Sequence, residues 1–437
     1  MYTKARTLVS PWMFAALSGC LLSAAVANAS TLDRYYQFGD DSFETGVAVG
    51  APITFFGTTV DSESNGGSAF HDLNTSDGTA TGPKYADTDA TGGSNRPGAR
   101  ATEFGVSFDG VNDHLFIDGA FSSAVGVGSG GLGIPSQADG QATYGAVVNW
   151  TGINNRYMSG WVRPTNAAAA GRQDIIADTS QFSIHITGPT PTRVWAMSHG
   201  DPGGNTGTTP GSELAESTVP VAFNSWTHVM QRSFSGDAVL YVNGVGVAWT
   251  TNNSDTTPED PTATANNNYN MVFGAGVNKT SNFFAGELDE WRLGVEGNNS
   301  TTAAAGGLPA GMNWGNVDMA VDNDFIKQTL DAAGNKLGDV NLDGVVDIND
   351  VNEFKSNWLK TYSLNNFQFG DLNSRMDGDF TFNGVINLND AIVLRNGLIA
   401  AGAGALFDLS DLVPEPTSML LAVFGLVSLV GVRRRRG

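Results

Sequence analysis

The 437-residue chain sets 44 acidic against 23 basic residues, and a formal charge of −21 repels nucleic acid and anionic lipid while favouring cations. Its single cysteine leaves neither a disulfide nor a thiolate metal site to support the fold. With 55 Gly, 24 Phe, 9 Trp and only 15% charged residues, the composition excludes a disordered chain and suits a turn-rich β protein with a sizeable core.

At the N-terminus, Lys4 and Arg6 precede an apolar run from Trp12 to Val26, and Ala27-Asn28-Ala29 stands before Ser30. This reads as a secretory signal peptide over 1–29 with an A-x-A cleavage site. A competing reading is the lipobox Leu17-Ser18-Gly19-Cys20, which would lipidate Cys20 and anchor the mature N-terminus. Residues 30–103 open with a strand at Arg34–Phe38 and then become loop-rich.

From Phe104 onward the pattern is one of short strands with turn punctuation. Strands are expected at 104–110, 114–119, 156–164, 182–187, 193–200, 226–233, 238–249, 269–276 and 283–293, with Asn243-Gly244 as a two-residue hairpin turn. Such spacing indicates a sandwich or barrel. The segments VSFDGVNDHLFI, YMSGWVRP, WTHVMQRSFSGDAVLYVNG and FFAGELDEWRL, in this order over about 104–293, resemble the landmarks of LamG-like, concanavalin A-like jelly-roll domains. That resemblance implies a mainly β jelly-roll sandwich over 30–296, and carbohydrate or surface-component binding. It also suggests calcium at a rim, for which Asp109 or Asp113 would serve, although turn formation explains both carboxylates as well. Trp161, Trp226 and Trp291 are expected to pack in the core or on a sheet face rather than to serve as sugar platforms.

Glycoside hydrolases on this fold place catalytic carboxylates in an E-x-D-x-x-E arrangement, so Glu287, Asp289 and Glu290 form a test. Strand alternation puts Glu287 and Asp289 on one face and Glu290 on the other, and Arg292 occupies the third family position. A retaining pair needs two carboxyl groups about 5–5.5 Å apart, so one partner is missing and no catalytic residue is assigned. Gly126–Gly131 fits G-x-G-x-x-G but no helix follows before Pro135, and the five histidines show no metal-ligand spacing. Residues 297–337 read as a linker interrupted by a short helix around 322–330.

The most specific stretch is DVNLDGVVDIND, residues 339–350. Asp339, Asn341, Asp343, Asp347 and Asp350 fall at positions 1, 3, 5, 9 and 12 of a calcium loop, Gly344 stands at the turn, and Val345 offers its carbonyl at position 7. A second copy at 379–390, DFTFNGVINLND, supplies Asp379, Thr381, Asn383, Val385, Asn387 and Asp390, with Gly384 at the turn. It has fewer carboxylates and should bind Ca2+ more weakly. Each loop leads into a helix, with Val351, Phe354, Trp358 and Leu359 forming one apolar face and Ala391, Leu394 and Leu398 the other, the second helix shortened by Gly397.

Duplicated loop-plus-helix units of this kind resemble dockerin modules, here over about 338–400. The resemblance implies a small α-helical, calcium-dependent module that docks to a cohesin-like or other surface protein through positions 10 and 11, namely Ile348-Asn349 and Leu388-Asn389. These pairs depart from the Ser/Thr pairs of cellulosomal dockerins, and the insertion GDLNSRMDG (370–378) begins like a third loop and fails.

At the other end, Pro414-Glu415-Pro416 precedes an apolar run from about Met419 to Val432 and then Arg433–Arg436. Over 413–437 this resembles the PEP-CTERM sorting signal of Gram-negative bacteria. It implies a transient transmembrane segment in the inner membrane, recognition by an exosortase, and transfer to the cell surface or medium. The run is short against the ~20 apolar residues of a comfortable span. The resulting expectation is a secreted, surface-directed, non-catalytic binding protein; the alternative is a degenerate polysaccharide hydrolase in a docked assembly.

Overall fold

The computed structural model describes residues 31–36, 38, 47–53, 82–91, 93–100, 103–118, 156–168, 171–178, 183–199, 213–234, 237–251, 270–276, 281–295, 319–364 and 366–412. The expected signal peptide, the glycine-rich loop at 126–131, residues 297–318 and the sorting segment with Pro414, Glu415 and Pro416 lie outside the described residues. Among the described residues no helix is long and apolar enough to cross a membrane.

In chain order the first strands are β1 (Thr31–Tyr36), β2 (Lys84–Asp87), β3 (Phe104–Asp109), β4 (Leu115–Asp118), β5 (Arg156–Pro164), β6 (Gln173–Asp178) and β7 (Ser183–Thr187). They continue with β8 (Val194–His199), β9 (Glu213–Pro220), β10 (Thr227–Phe234), β11 (Asp237–Val242), β12 (Val245–Thr251), β13 (Asn270–Phe273) and β14 (Ala285–Val295). β2, β6 and β9 have no counterpart among the strands expected from the sequence. Polar residues in KYAD, QDIIAD and ELAESTVP dilute the apolar alternation that marks a half-buried strand.

The strands form two antiparallel sheets. An eight-stranded sheet runs β12-β11-β10-β5-β14-β3-β2 with β1 also on β14, and a six-stranded sheet runs β4-β13-β6-β7-β8-β9. β14 is long enough to carry β3 along its first half and β1 along its second, opposite β5. Asn243 and Gly244 both take positive φ, 48° and 76°, as the expected two-residue turn between β11 and β12 requires.

Between the sheets Val106, Val162, Leu240, Leu288 and Trp291 of the first pack against Ile184, Ile186, Trp195, Met197 and Phe273 of the second. Each such burial contributes about 1.5–3 kcal/mol. Trp291 meets Phe273 edge-on at 5.4 Å, and on the neighbouring strand a Cβ at Gly160 would lie 2.5 Å from the indole. Glycine is therefore required there by close approach.

The outer face of the large sheet is covered. Helices α1 (Met319–Asp322) and α2 (Asp324–Ala332) lie where a linker with a short helix was expected, and they bury Met319, Ile326 and Leu330 against Tyr157, Met230, Val239 and Tyr241. Polar groups fix the seat. Tyr157 donates to Asp322 Oδ1 (3.1 Å), Ser159 to the Asp322 carbonyl (3.2 Å) and Trp161 Nε1 to Asp324 Oδ2 (3.1 Å).

The C-terminal module contains α3 (Ile348–Ser356), the small hairpin β15 (Ser363–Leu364) and β16 (Phe367–Gln368), α4 (Leu372–Asp377) and α5 (Leu388–Ala400). Val351, Phe354, Ala391, Leu394 and Leu398 form its core as expected, joined by Phe407 and Leu412. Two expectations are corrected. Leu359 lies beyond the end of α3 and is 64% exposed, and α5 runs through Gly397, where the missing Cβ admits the Leu337 carbonyl.

Candidate functional site

The two loops of the module share one hydrogen-bond pattern. In the first, Asp339 accepts from the amides of Asp343 (3.2 Å) and Gly344 (2.8 Å), and Asp350 accepts from those of Val340 (2.7 Å), Asn341 (3.4 Å) and Asp347 (2.8 Å). In the second, Asp379 accepts from Asn383 (3.1 Å) and Gly384 (2.7 Å), and Asp390 from Thr381 (3.0 Å) and Asn387 (3.0 Å). Left-handed backbone recurs at positions 4 and 6, in Leu342 and Gly344 and again in Phe382 and Gly384. Asp347 and Asn387 cap α3 and α5, each in a capping box with the aspartate at position 12. The segment after α3 joins the loops: Leu359 N donates to the Ile386 carbonyl, Ile386 N to the Lys360 carbonyl and Tyr362 N to the Gly384 carbonyl.

Asp339, Asp350, Asp379 and Asp390 are buried, whereas Asn341, Asp343, Val345 and Asn383 are exposed and Asp347, Asn387 and Val385 half-buried. Burial, reinforced by the charges of Asp350 and Asp343, raises the Asp339 pKa above the ordinary carboxylate value. Burial likewise raises Asp379, and with the charge of Asp379 beside it brings Asp390 to about 6. Thr381 donates its hydroxyl to Asp390 (3.0 Å), and Asn387 turns its amide onto the Val385 carbonyl (3.1 Å). As the loops stand, no group of three or more His, Cys, Asp and Glu side chains among the described residues is gathered to hold a metal ion. The donor chemistry still fits a hard cation: the side chains offer oxygen, and buried carboxylates that repel one another gain from a cation between them. Ile348 and Leu388 open the two helices at 43% and 50% exposure, with Asn349 and Asn389 exposed beside them.

The carboxylates of β14 are arranged differently from the alternation read in the sequence. A bulge between Asp289 and Arg292, with Glu290 at φ 52°, turns Glu290 toward the guanidinium that also holds Asp289. Arg96 Nε donates to Asp289 Oδ2 (2.6 Å) and Nη2 stands 3.6 Å from Glu290, with Glu103 paired to the same Nη2. Arg292 bridges to Asp324 at 3.1 Å, and Glu287 pairs with Arg163 at 2.8 Å. Burial and the charge of Asp324 push Glu290 up to about 7, against the pull of Arg292. Burial favours a neutral Asp324, but Arg292, His228, the Trp161 N–H and Arg96 together hold it below the usual value. These side chains tie β14, the 88–103 segment and α2 together.

Trp161 packs on the outer sheet face beneath Phe325, Trp291 lies in the core, and Trp226 donates to the Ser94 carbonyl at 3.1 Å. Asp109 accepts from the amides of Val111, Asn112 and Asp113, and Asp113 from that of Asp109, as turn-forming carboxylates do. Residues 138–294 match the family model of the concanavalin A-like lectin/glucanases superfamily. The matched span carries β5 to β13 and most of β14 of the two-sheet sandwich. No curated protein matches the chain. Among solved structures, domain 4 of the GH43 extracellular arabinanase AbnA from Geobacillus stearothermophilus, in complex with arabinotriose, is 16% identical, covering 61% of this chain and 93% of its own at a TM-score of 0.34. The CBM40 of the Ruminococcus gnavus IT-sialidase is 12% identical, covering 46% of this chain and 96% of its own at a TM-score of 0.28.

Proposed function

We propose that this is a secreted, surface-directed, non-catalytic binding protein whose concanavalin A-like sandwich takes a carbohydrate or surface component. Its C-terminal module is read as a calcium-dependent docking unit. The observation that carries this reading is the recurrence of one loop geometry at 339–350 and 379–390, with the aspartates at positions 1 and 12 buried, position 9 capping the next helix and positions 4 and 6 left-handed in both. Asp339, Asn341, Asp343, Asp347, Asp350 and the Val345 carbonyl would hold one Ca2+, and Asp379, Thr381, Asn383, Asn387, Asp390 and the Val385 carbonyl the other. The ion would supply the positive charge that these carboxylates lack, while the loop amides keep Asp339 and Asp379 oriented. Ile348-Asn349 and Leu388-Asn389 would present the exposed surface to a cohesin-like or other surface protein. The non-catalytic assignment is supported by the ion pairs on Glu287, Asp289 and Glu290.

Calorimetric titration of the full chain with calcium, followed by a glycan array with and without calcium, tests the reading. Two calcium sites are expected, the first loop tighter because it carries more carboxylates, and Asp339→Ala should abolish the tighter one. A flat titration would remove calcium from the reading. Release of reducing sugar from a polysaccharide panel would replace the binding assignment with the hydrolytic one. For the tail, exosortase sorting predicts a mature C-terminus near Pro414–Thr417, read by mass spectrometry; recovery of Arg433–Gly437 in surface-exposed protein would exclude it.

A further inference from the structure

The insertion at 370–378 fits neither calcium loop, yet it touches both. Asp371 caps α4 and accepts at Oδ2 from the Gly246 amide (3.1 Å), while the Leu372 amide donates to the Gly244 carbonyl (2.9 Å), so the helix begins on the β11–β12 hairpin of the sandwich. Leu372 is buried with Phe369, Phe382 and Tyr241 in a core shared by sandwich and module. One turn on, Ser374 donates to Asp379 Oδ2 (2.9 Å), the first position of the second loop. Its neighbour Arg375 donates to the Asp339 carbonyl (3.0 Å), the first position of the first loop, and lies 4.4 Å over the Phe380 ring. Arg375 is nearly buried, and burial lowers its pKa to about 10 against the pull of Asp339, Asp379, Asp350 and Asp390.

We propose that residues 371–375 couple the filling of the two loops to the seating of the module on the β11–β12 hairpin. This rests on the calcium reading. The Ser374 bond fixes one oxygen of Asp379 and the Arg375 bond fixes the backbone of Asp339, so a seated α4 holds both loops closer to the shape a cation needs. A binding site that is already ordered loses less freedom on binding. α4 has six residues, too few to persist by itself, so its order depends on the hairpin beneath it. Linkage then requires reciprocity: if seating strengthens calcium binding by some factor, calcium strengthens seating by the same factor.

The test uses the full chain, with calcium calorimetry and amide exchange at the hairpin. Asp371→Ala removes the acceptor for Gly246 and touches no calcium ligand. It should weaken calcium binding by at least about fivefold, the low end of measured coupling, and calcium should no longer slow exchange at Gly244–Gly246. Asp371→Asn keeps an acceptor oxygen and should restore both. Should the alanine variant fail to fold, Ser374→Ala carries the same expectation, since it cuts the tie to Asp379 and leaves the hairpin contacts in place. Unchanged affinity in these variants, with hairpin exchange indifferent to calcium, overturns the coupling and leaves the calcium reading standing. A wild-type chain that binds no calcium overturns both.

Discussion

Glu290 holds a carboxyl group where a charge is costly, buried beside Asp324 and opposed by Arg96 and Arg292, with the neutral ring of His228 in the same layer. Its pKa of about 7 lies above the ordinary 4.5, so the folded chain binds more protons than the unfolded one between those values. Stability from this group therefore falls as pH rises from about 4.5 to about 7, by on the order of 3 kcal/mol. Glu290→Gln should flatten that part of the profile, so that the wild-type minus variant difference in urea unfolding shrinks from pH 4.5 to 8; an unchanged difference would refute the assignment. The sequence made Glu290 visible as a candidate but misjudged its face. Strand alternation assumes an unbroken pleat, and the bulge at 289–292 leaves no mark in ELDEWR. The partner that decides the site, Arg96, lies 193 residues from Asp289 in the chain, so no local pattern connects them.

At the scale of elements, spacing served well where chemistry recurs at fixed positions and poorly where tertiary contact decides. The tight turns at Gly344 and Gly384, the helices after them and the β11–β12 turn were legible because each rests on residues a few positions apart. α4 was not, although Asp371 and Ser374 have the spacing of a capping box, because its seat depends on the Gly246 amide and the Gly244 carbonyl of a distant hairpin. Gly397 shows the same limit. Helix propensity alone predicts that Gly397→Ala gains about 1 kcal/mol, whereas the structure sets the Leu337 carbonyl where the new methyl would go. The expected outcome is destabilisation by roughly 1–3 kcal/mol in urea unfolding, and a stabilised variant would contradict the packing of α5. Gly160→Ala should err in the same direction, its methyl directed into the Trp291 indole.

At the scale of the molecule, the two parts expected to be joined by a linker share a core. Tyr157, Met230, Val239 and Tyr241 of the sandwich, Met319, Ile326 and Leu330 of the covering helices, and Phe369, Leu372 and Phe382 of the module pack as one cluster. Differential scanning calorimetry of the full chain should therefore show the sandwich and module melting in one transition, and two well-separated transitions would mean that this cluster does not bind them energetically. The long strand β14 has a consequence in time as well as in space. It pairs with β1, β3 and β5, so strands from Thr31 onward wait for residues 285–295 before the large sheet can close. Such distant pairings make for slow assembly. A chain emerging N-terminus first, from a ribosome or through a membrane pore, would remain open along that central seam until Val295 had followed, which keeps it threadable for most of its passage.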